Sequence, residues 1–532
     1  MKKLNIFLFL LLSISAFSQS TLVRGPYLNL GTQSSMVVKW RTTAAEIGEV
    51  KYGTEQSNLS QTTTESTATT EHEVLINGLQ PNTRYYYTVG ANANANSYTT
   101  NDGTYFFKTS PVPGTVQPIR LWVIGDFGYG GQSTIDVKNS FLENYRDVPT
   151  DAWLWTGDNA YNDGTDQEYQ DNVFNVYPEV FKNTVVWPCP GNHDYGSVDV
   201  NNNGTYYDIF TLPENAEAGG TPSNEEGYYS FDYGNVHFLS LNSEMLLSIV
   251  TSNTPFTQWL EQDLQNTTQD WIVAYWHQPP YTKGTHDSDD SFSRSEMMRN
   301  NVNPILEQYG CDLVLNGHSH GYERSYLING HYGKSNTFNA ANMIVNGTNG
   351  NANDGNAYIK YTLGDSANKG TVYSVIGCSG KKGSGDDPLN HPAMYLSTED
   401  YHGSMVIDVN GLSLNALFID TTGTVLDRFA IVKEESTGIN QTKHQYGIQL
   451  NVYPNPFKGS FNIEFEIENE EFITIEIKDV EGKLVENFGG KKYAAGKHQI
   501  TCTPKQQVNQ GIYIVEVNNS KKLAAKRLVR ME

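Results

Sequence analysis

Asp126, Asp158, Tyr161, Asn192, His277, His318 and His320 are side chains suited to holding a cation, and each follows a short apolar run. RLWVI precedes Gly125-Asp126-Phe127-Gly128, and AWLWT precedes Gly157-Asp158-Asn159-Ala160-Tyr161. VVWPCP precedes Gly191-Asn192-His193-Asp194, IVAYW precedes His277, and CDLVLN precedes Gly317-His318-Ser319-His320. Carboxylate, amide and imidazole groups are lone-pair donors to first-row metal ions. Phenolate is a rarer ligand, favoured by a hard, highly charged ion such as Fe(III). Asp158 and Tyr161 stand three apart, so one loop or first helical turn can aim both at one ion. A single such cluster means little, because Gly-Asp after a strand is often a turn and His-x-His often packing. Five in series point to a metal centre.

Strands must position these groups. Short runs rich in Val, Leu, Ile and Trp and bounded by Gly fit buried strands. Ligands of open α/β sheets bind beyond the carboxyl ends of the strands. If the five runs are neighbouring strands, the five clusters converge on one edge of a single sheet. From residue 118 to 432 strands alternate with more helical stretches such as Gln132–Tyr145 and Thr257–Leu264, the pattern of a layered α/β domain. Ahead of it, residues 21–110 hold short alternating runs: Met36–Trp40, Glu49–Tyr52, Glu73–Ile76, Tyr85–Val89 and Tyr105–Lys108. Gly, Asn and Thr clusters separate them, as in a small antiparallel sandwich. Pro111, Pro113, Gly114 and Pro118 form the link between the two. A polar connector, 433–448, leads to a last small β domain at 449–532.

Composition narrows the function classes. A chain of 532 residues exceeds one ordinary core and predicts several domains. Its net charge of −23 argues against nucleic acid or anionic membrane as a partner, since both need clustered positive charge. Residues 1–18 read as a signal peptide, with Lys2 and Lys3, an apolar Leu4–Leu12 stretch and a cleavage position near Ser18. No segment supplies the roughly 20 apolar residues of a transmembrane anchor. Cys189, Cys311, Cys378 and Cys502 have no CxxC spacing, which argues against a zinc ribbon or disulfide framework. Buried small hydrophobes describe the first three best, while Cys189 and Cys311 could pair if their strands are adjacent. Asp199–Gly204 looks like half of an EF-hand loop, but Phe210 stands where the bidentate Glu belongs, so the segment reads as an Asn/Gly turn.

Taken in order, the five clusters match the metallophosphoesterase pattern D-x-G, G-D-x-x-Y, G-N-H-[DE], x-x-H and G-H-x-H, and Tyr161 makes the chain resemble the purple acid phosphatases. That resemblance implies a fibronectin type III-like sandwich, supported by Leu79–Tyr85, followed by an αββα-layered catalytic domain. It also implies an Fe(III) held by Asp126, Asp158, Tyr161 and His320. A second, divalent ion (Fe, Zn or Mn) falls to Asp158, Asn192, His277 and His318, with Asp158 bridging. The implied activity is hydrolysis of small phosphate monoesters by a metal-bound hydroxide. Phosphodiesterase or nucleotide hydrolase activity is the alternative, and a non-catalytic surface protein the alternative of another class. His193 is the residue for orienting phosphate or protonating the leaving oxygen. His286 falls where the family places another such histidine, though Asp287 follows it. Asp194 replaces a common Glu and Ala274 a common Val; neither is a ligand, and both are discounted. Asn451-Val-Tyr-Pro-Asn-Pro-Phe457, Gly511–Val517 and a basic end resemble the sorting domain of type IX secretion substrates. That implies a secreted or surface protein handled by the type IX machinery; an adhesive sandwich that stays attached is the alternative.

Overall fold

The computed structural model describes residues 20–92, 96–198, 203–245, 251, 253–364, 366–434, 449–455, 457–467, 469–479, 483–504, 509–518 and 523–530. The expected signal peptide, most of the 433–448 connector and Asp199–Asn202 lie outside the described residues. The chain divides into two compact units, one ending at Ser436 and the other beginning at Thr437.

The first unit opens with a β-sandwich. Leu22–Asn29, Ser35–Glu46 and Thr69–Asn77 form one antiparallel sheet. Gly48–Gly53, Arg84–Ala91 and shorter partners form the other. Period-two alternation buries Val38 and Trp40 from one sheet and Val50, Tyr87 and Val89 from the other in a shared core. In the Leu79–Tyr85 loop the Gln80 amide donates to the Tyr85 hydroxyl at 2.9 Å, which ties the loop to the strand it enters.

The layered region follows. Six of its strands matter for the site: β1 (Ile119–Ile124), β2 (Ala152–Trp155), β3 (Val186–Pro188), β4 (Trp271–Tyr275), β5 (Leu313–Asn316) and β6 (Val372–Ile376). The five apolar runs occupy two sheets, in keeping with the αββα layering the resemblance implies, so they are not all neighbours along one edge. Strands β3, β2 and β1 are parallel neighbours in one seven-stranded sheet, which continues antiparallel through Gly403–Asn410 and Ser413–Asp420. Strands β4, β5 and β6 are parallel neighbours in a second seven-stranded sheet. After β3 the chain crosses through the hairpin Tyr229–Tyr233 and Val236–Ser240, which starts the second sheet.

Both sheets contribute to one core, with Trp155, Phe127 and Ile376 packed in the same cluster as Val273 and Leu315. Helices cover the outer faces. The helix Gln132–Tyr145 stacks Phe141 on Trp122 at 4.1 Å between ring centroids. Pro255–Asn266, Arg294–Asn301 and Asn303–Gln308 bury Phe256, Leu260, Met298 and Leu306 against Leu239, Ala274 and Val314. All four cysteines are buried free thiols. Cys189 follows a strand of the first sheet and Cys311 precedes one of the second, which keeps them at opposite strand ends.

The second unit is strand-rich. Gln449–Tyr453, Phe461–Ile467 and Gly496–Cys502 form one sheet, and Leu484–Tyr493, Glu471–Asp479, Gly511–Asn518 and Leu523–Arg530 the other. Its core comprises alternate residues such as Ile463, Phe465, Ile475, Ile477, Val515 and Val517. Among the described residues no helix is long and apolar enough to cross a membrane.

Candidate metal centre

The carboxyl ends of β1 to β5 meet where the two sheets adjoin, and the loops there approach closely. A Cβ on Gly191 would lie 2.2 Å from the Asp158 amide nitrogen. Gly157 has φ +91°, and a Cβ there would lie 2.6 Å from His277 Nδ1. Glycine is required at both positions. Hydrogen bonds then stitch one sheet to the other. The His318 amide donates to Asp126 Oδ2 at 2.8 Å, and His277 Nδ1 lies 2.9 Å from the Thr156 carbonyl.

The seven side chains singled out by sequence come together in two sets around Asp158. Asp158 Oδ1 lies 3.2 Å from His277 Nε2. The same His277 nitrogen lies 3.2 Å from Asn192 Oδ1 and 3.2 Å from His318 Nδ1. Asp158, His277 and His318 offer ligand atoms within 4.8 Å of one another. On the other side, Asp158 Oδ2 accepts from the Tyr161 hydroxyl at 2.8 Å, and Asp126 Oδ1 accepts from that hydroxyl at 2.9 Å. His320 Nε2 is 3.5 Å from Asp126 Oδ1.

The donor chemistry of the His277 set suits a cation. A carbonyl only accepts, so His277 Nδ1 carries the ring proton and Nε2 presents its lone pair among three further acceptors. Burial opposes charging this ring, but Asp158, Asp126 and Glu244 outweigh it and raise its pKa to about 10. Without another positive charge, a proton takes the position a metal ion would take. Burial, and then the carboxylates of Asp126 and Asp158, push the Tyr161 hydroxyl well above the usual tyrosine range. Only a strong Lewis acid would reverse that.

Residues 23–109 match the family model for the purple acid phosphatase N-terminal domain, residues 119–322 that for calcineurin-like phosphoesterases, and residues 451–531 that for secretion-system C-terminal sorting domains. In its N-terminal and phosphoesterase regions the chain is similar to the purple acid phosphatases. Purple acid phosphatase 15 of Arabidopsis thaliana is 28% identical over 284 residues, covering 48% of this chain and 50% of the relative. The Fe(3+)-Zn(2+) purple acid phosphatase 12 of the same plant is 26% identical over 311 residues, covering 56% of this chain. The chain thus spans 50% and 59% of the lengths of these two relatives. A solved purple acid phosphatase from yellow lupin (Lupinus luteus) seeds shares the fold at TM-score 0.60 and 18% identity, covering 77% of this chain and 74% of that one.

Two further histidines flank these two sets of side chains. His193 Nδ1 lies 2.5 Å from the Asn162 carbonyl, so Nδ1 carries the proton and Nε2 faces the cluster, 3.8 Å from Asp158 Oδ2. Its ring packs 4.2 Å from that of Tyr161 and is 32% exposed. His286 is solvent-exposed yet stacks on His318, with centroids 3.9 Å apart, and meets His320 edge-on at 5.8 Å. Burial against these rings, and then His320, lower its pKa.

Asp194, discounted on sequence, is the residue that locks two ligand loops together. It is fully buried and accepts from the Tyr169 hydroxyl at 2.6 Å, the Gly191 amide at 2.7 Å, and the backbone and side-chain nitrogens of Asn159 at 3.1 and 3.0 Å. Burial, and then the Asp158 charge, raise its pKa to about 7, against the pull of these donors. A signal existed: an acid two residues beyond Asn192 in a Gly-bounded loop. The spacing does not reveal its partners Tyr169 and Asn159, which lie 25 and 35 residues away. The loop carrying Tyr161 is also held from the sandwich. Asp166 takes Arg41 at 2.6 and 2.8 Å and Arg24 at 2.9 Å.

Proposed function

We propose that the protein is a secreted, dinuclear-metal acid phosphatase acting on phosphate monoesters. The observation that carries this reading is the split of Asp158: Oδ1 faces Asn192, His277 and His318, while Oδ2 faces Tyr161 beside Asp126 and His320. One carboxylate between two sets of lone-pair donors suits a bridged pair of ions, Fe(III) on the tyrosine side and divalent iron, zinc or manganese on the other. The metal named in the Arabidopsis thaliana relative, Fe(3+)-Zn(2+), is in keeping with this assignment. Bound there, two cations would supply charge neutralisation for the phosphoryl oxygens and acidify water at low pH.

The chain's own groups do the rest. Asn192 contributes a neutral amide oxygen, which limits negative charge facing an anionic substrate. His193 carries its Nδ1 proton on the Asn162 carbonyl and keeps Nε2 available to orient phosphate or, when protonated, to hand a proton to the leaving oxygen. His286, on the rim over His318, is a second candidate for that proton. Domain limits of 21–110, 118–432 and 449–532 accompany this reading, the last a sorting domain for the type IX machinery after a cleaved leader at 1–18.

Metal analysis with a visible spectrum tests the assignment. Two ions per chain and a phenolate-to-iron band are expected, and Tyr161→Phe should bleach it. Two zinc ions and no colour would remove iron and keep the phosphoesterase. His193→Ala should lower turnover with both ions retained. Parallel assays on a nitrophenyl monoester and a bis-nitrophenyl diester distinguish monoesterase from diesterase, and metal-loaded protein inactive on both would favour a binding protein.

A further inference from the structure

The loop after β6 carries Lys381 to the rim of the cluster on the Tyr161 side. Its seat is tight: a Cβ on Gly380 would lie 2.8 Å from the Asp126 carbonyl oxygen, and Ser133 Oγ donates to the Gly380 carbonyl at 2.8 Å. Two residues beyond Lys381, the Gly383 amide donates to the His320 carbonyl at 2.7 Å. Between these anchors Lys381 Nζ lies 5.4 Å from the ring centroid of Tyr129 and 5.8 Å from that of Tyr161. Tyr129 is 51% exposed and packs edge-on against Tyr161 at 5.5 Å.

Other cations near the cluster are already engaged. Lys283 is paired with Asp287 and Asp289, Arg294 with Glu244, and Lys382 Nζ donates to the Asp400 carbonyl. Among the described residues Lys381 has no carboxylate within ion-pair distance. Resting over aromatic faces is worth about 0.5–1 kcal/mol at an exposed site and uses none of the three ammonium donors. In a chain of net charge −23, a free ammonium beside a phosphate site is a selective feature.

We propose that Lys381 is a specificity residue whose ammonium receives a second phosphoryl group, favouring substrates in which one phosphate is linked directly to another. This rests on the phosphatase reading above. Isothermal titration of metal-loaded wild type, Lys381→Gln and Lys381→Arg with imidodiphosphate and with inorganic phosphate reads it without turnover. Loss of the charge should weaken imidodiphosphate about tenfold more than phosphate, equivalent to about 1.4 kcal/mol, and Lys381→Arg should restore most of the difference. In turnover, kcat/KM of Lys381→Gln should fall about tenfold more for pyrophosphate than for 4-nitrophenyl phosphate, again about 1.4 kcal/mol. Equal losses for both anions, or none, overturn the proposal and leave the phosphatase reading standing. A wild type that hydrolyses no ester but binds imidodiphosphate in a Lys381-dependent way overturns the phosphatase reading and leaves Lys381 in its role.

Discussion

Replacing Asp194 tests whether the ligand loops are held as a unit. Asp194→Ala removes the acceptor drawn on by the Tyr169 hydroxyl, the Gly191 amide and the Asn159 amide in a fully buried setting, while the Asn159 side chain keeps its bond to the Cys189 carbonyl. Each buried donor left without a partner costs about 1–3 kcal/mol. A water admitted to the vacated carboxyl volume would recover part of that. The net loss expected is about 4 kcal/mol, a large share of the roughly 5–15 kcal/mol typical of a folded domain. Asp194→Asn keeps the shape and one oxygen but turns an amide toward two donors, so about 2 kcal/mol is expected. With a urea slope of about 3 kcal/mol per molar, Asp194→Ala should lower the unfolding midpoint of metal-free protein by roughly 1.3 M and Asp194→Asn by about half as much. The metal-free measurement isolates the hydrogen bonds from the ions. In metal-loaded protein, Asp194→Ala should also hold fewer than two ions, since Gly191 and Asn192 share its loop. Midpoints for both variants within 0.2 M of wild type, with two ions retained, would refute the reasoning.

Two further predictions concern the scaffold. His237 lies between Asp232 and Asp263 at 2.8 Å from each. Burial opposes its charge, but these two partners raise its pKa from 6.5 to about 9. A raised folded pKa gives stability that is complete below about pH 6.5 and lost as pH rises through 9. Unfolding free energy measured at pH 6 and pH 10 should therefore differ by roughly 3 kcal/mol more in wild type than in His237→Gln. Asp166 couples Arg24 and Arg41 of the sandwich to the loop bearing Tyr161, but its side chain is 46% exposed. A double-mutant cycle on Arg41→Ala and Asp166→Ala should give a coupling of only about 1 kcal/mol by urea unfolding, smaller at high salt.

The seven ligand candidates were legible because chemistry-bearing side chains recur at the ends of apolar runs, a signal that survives without alignment. The partition of those runs into two sheets was not legible in the runs themselves and came only with the family resemblance. RLWVI and IVAYW have the same local character, and only the hairpin Tyr229–Ser240 reveals that the chain has crossed to a second layer. Two sheets explain why the site is deep: Asp126 and His318 approach from opposite sides of a junction rather than along one edge. Strands such as Leu22–Asn29 and Gln61–Thr64 give no alternating signal because their apolar residues are sparse or broken by Gly and Pro. The roles of Asp194 and Asp166 were illegible for a different reason. Their partners are distant in sequence, and a carboxylate in a loop carries no mark of being buried or paired.

The ambiguity of each cluster taken singly has a physical origin. Asp126, Asp158 and His318 all adopt left-handed backbone, with φ of +54°, +52° and +67°. Outside glycine that region is entered at some cost, roughly 1 kcal/mol or more per residue, and Asp tolerates it better than most. A left-handed residue just after a parallel strand reverses the chain sharply, which is what a turn does. It also sets the side chain over the strand end, which is what a ligand needs. Gly-Asp at these positions is therefore a turn signal and a ligand signal at once. The cost of the conformation is offset by the contacts that enforce it. The Asp126 amide donates to the Gly157 carbonyl at 3.1 Å, and the His318 amide donates to Asp126 itself. Asp126 and His318 are thus each held by a loop that brings another residue to the cluster, so the turns and the cluster are specified together.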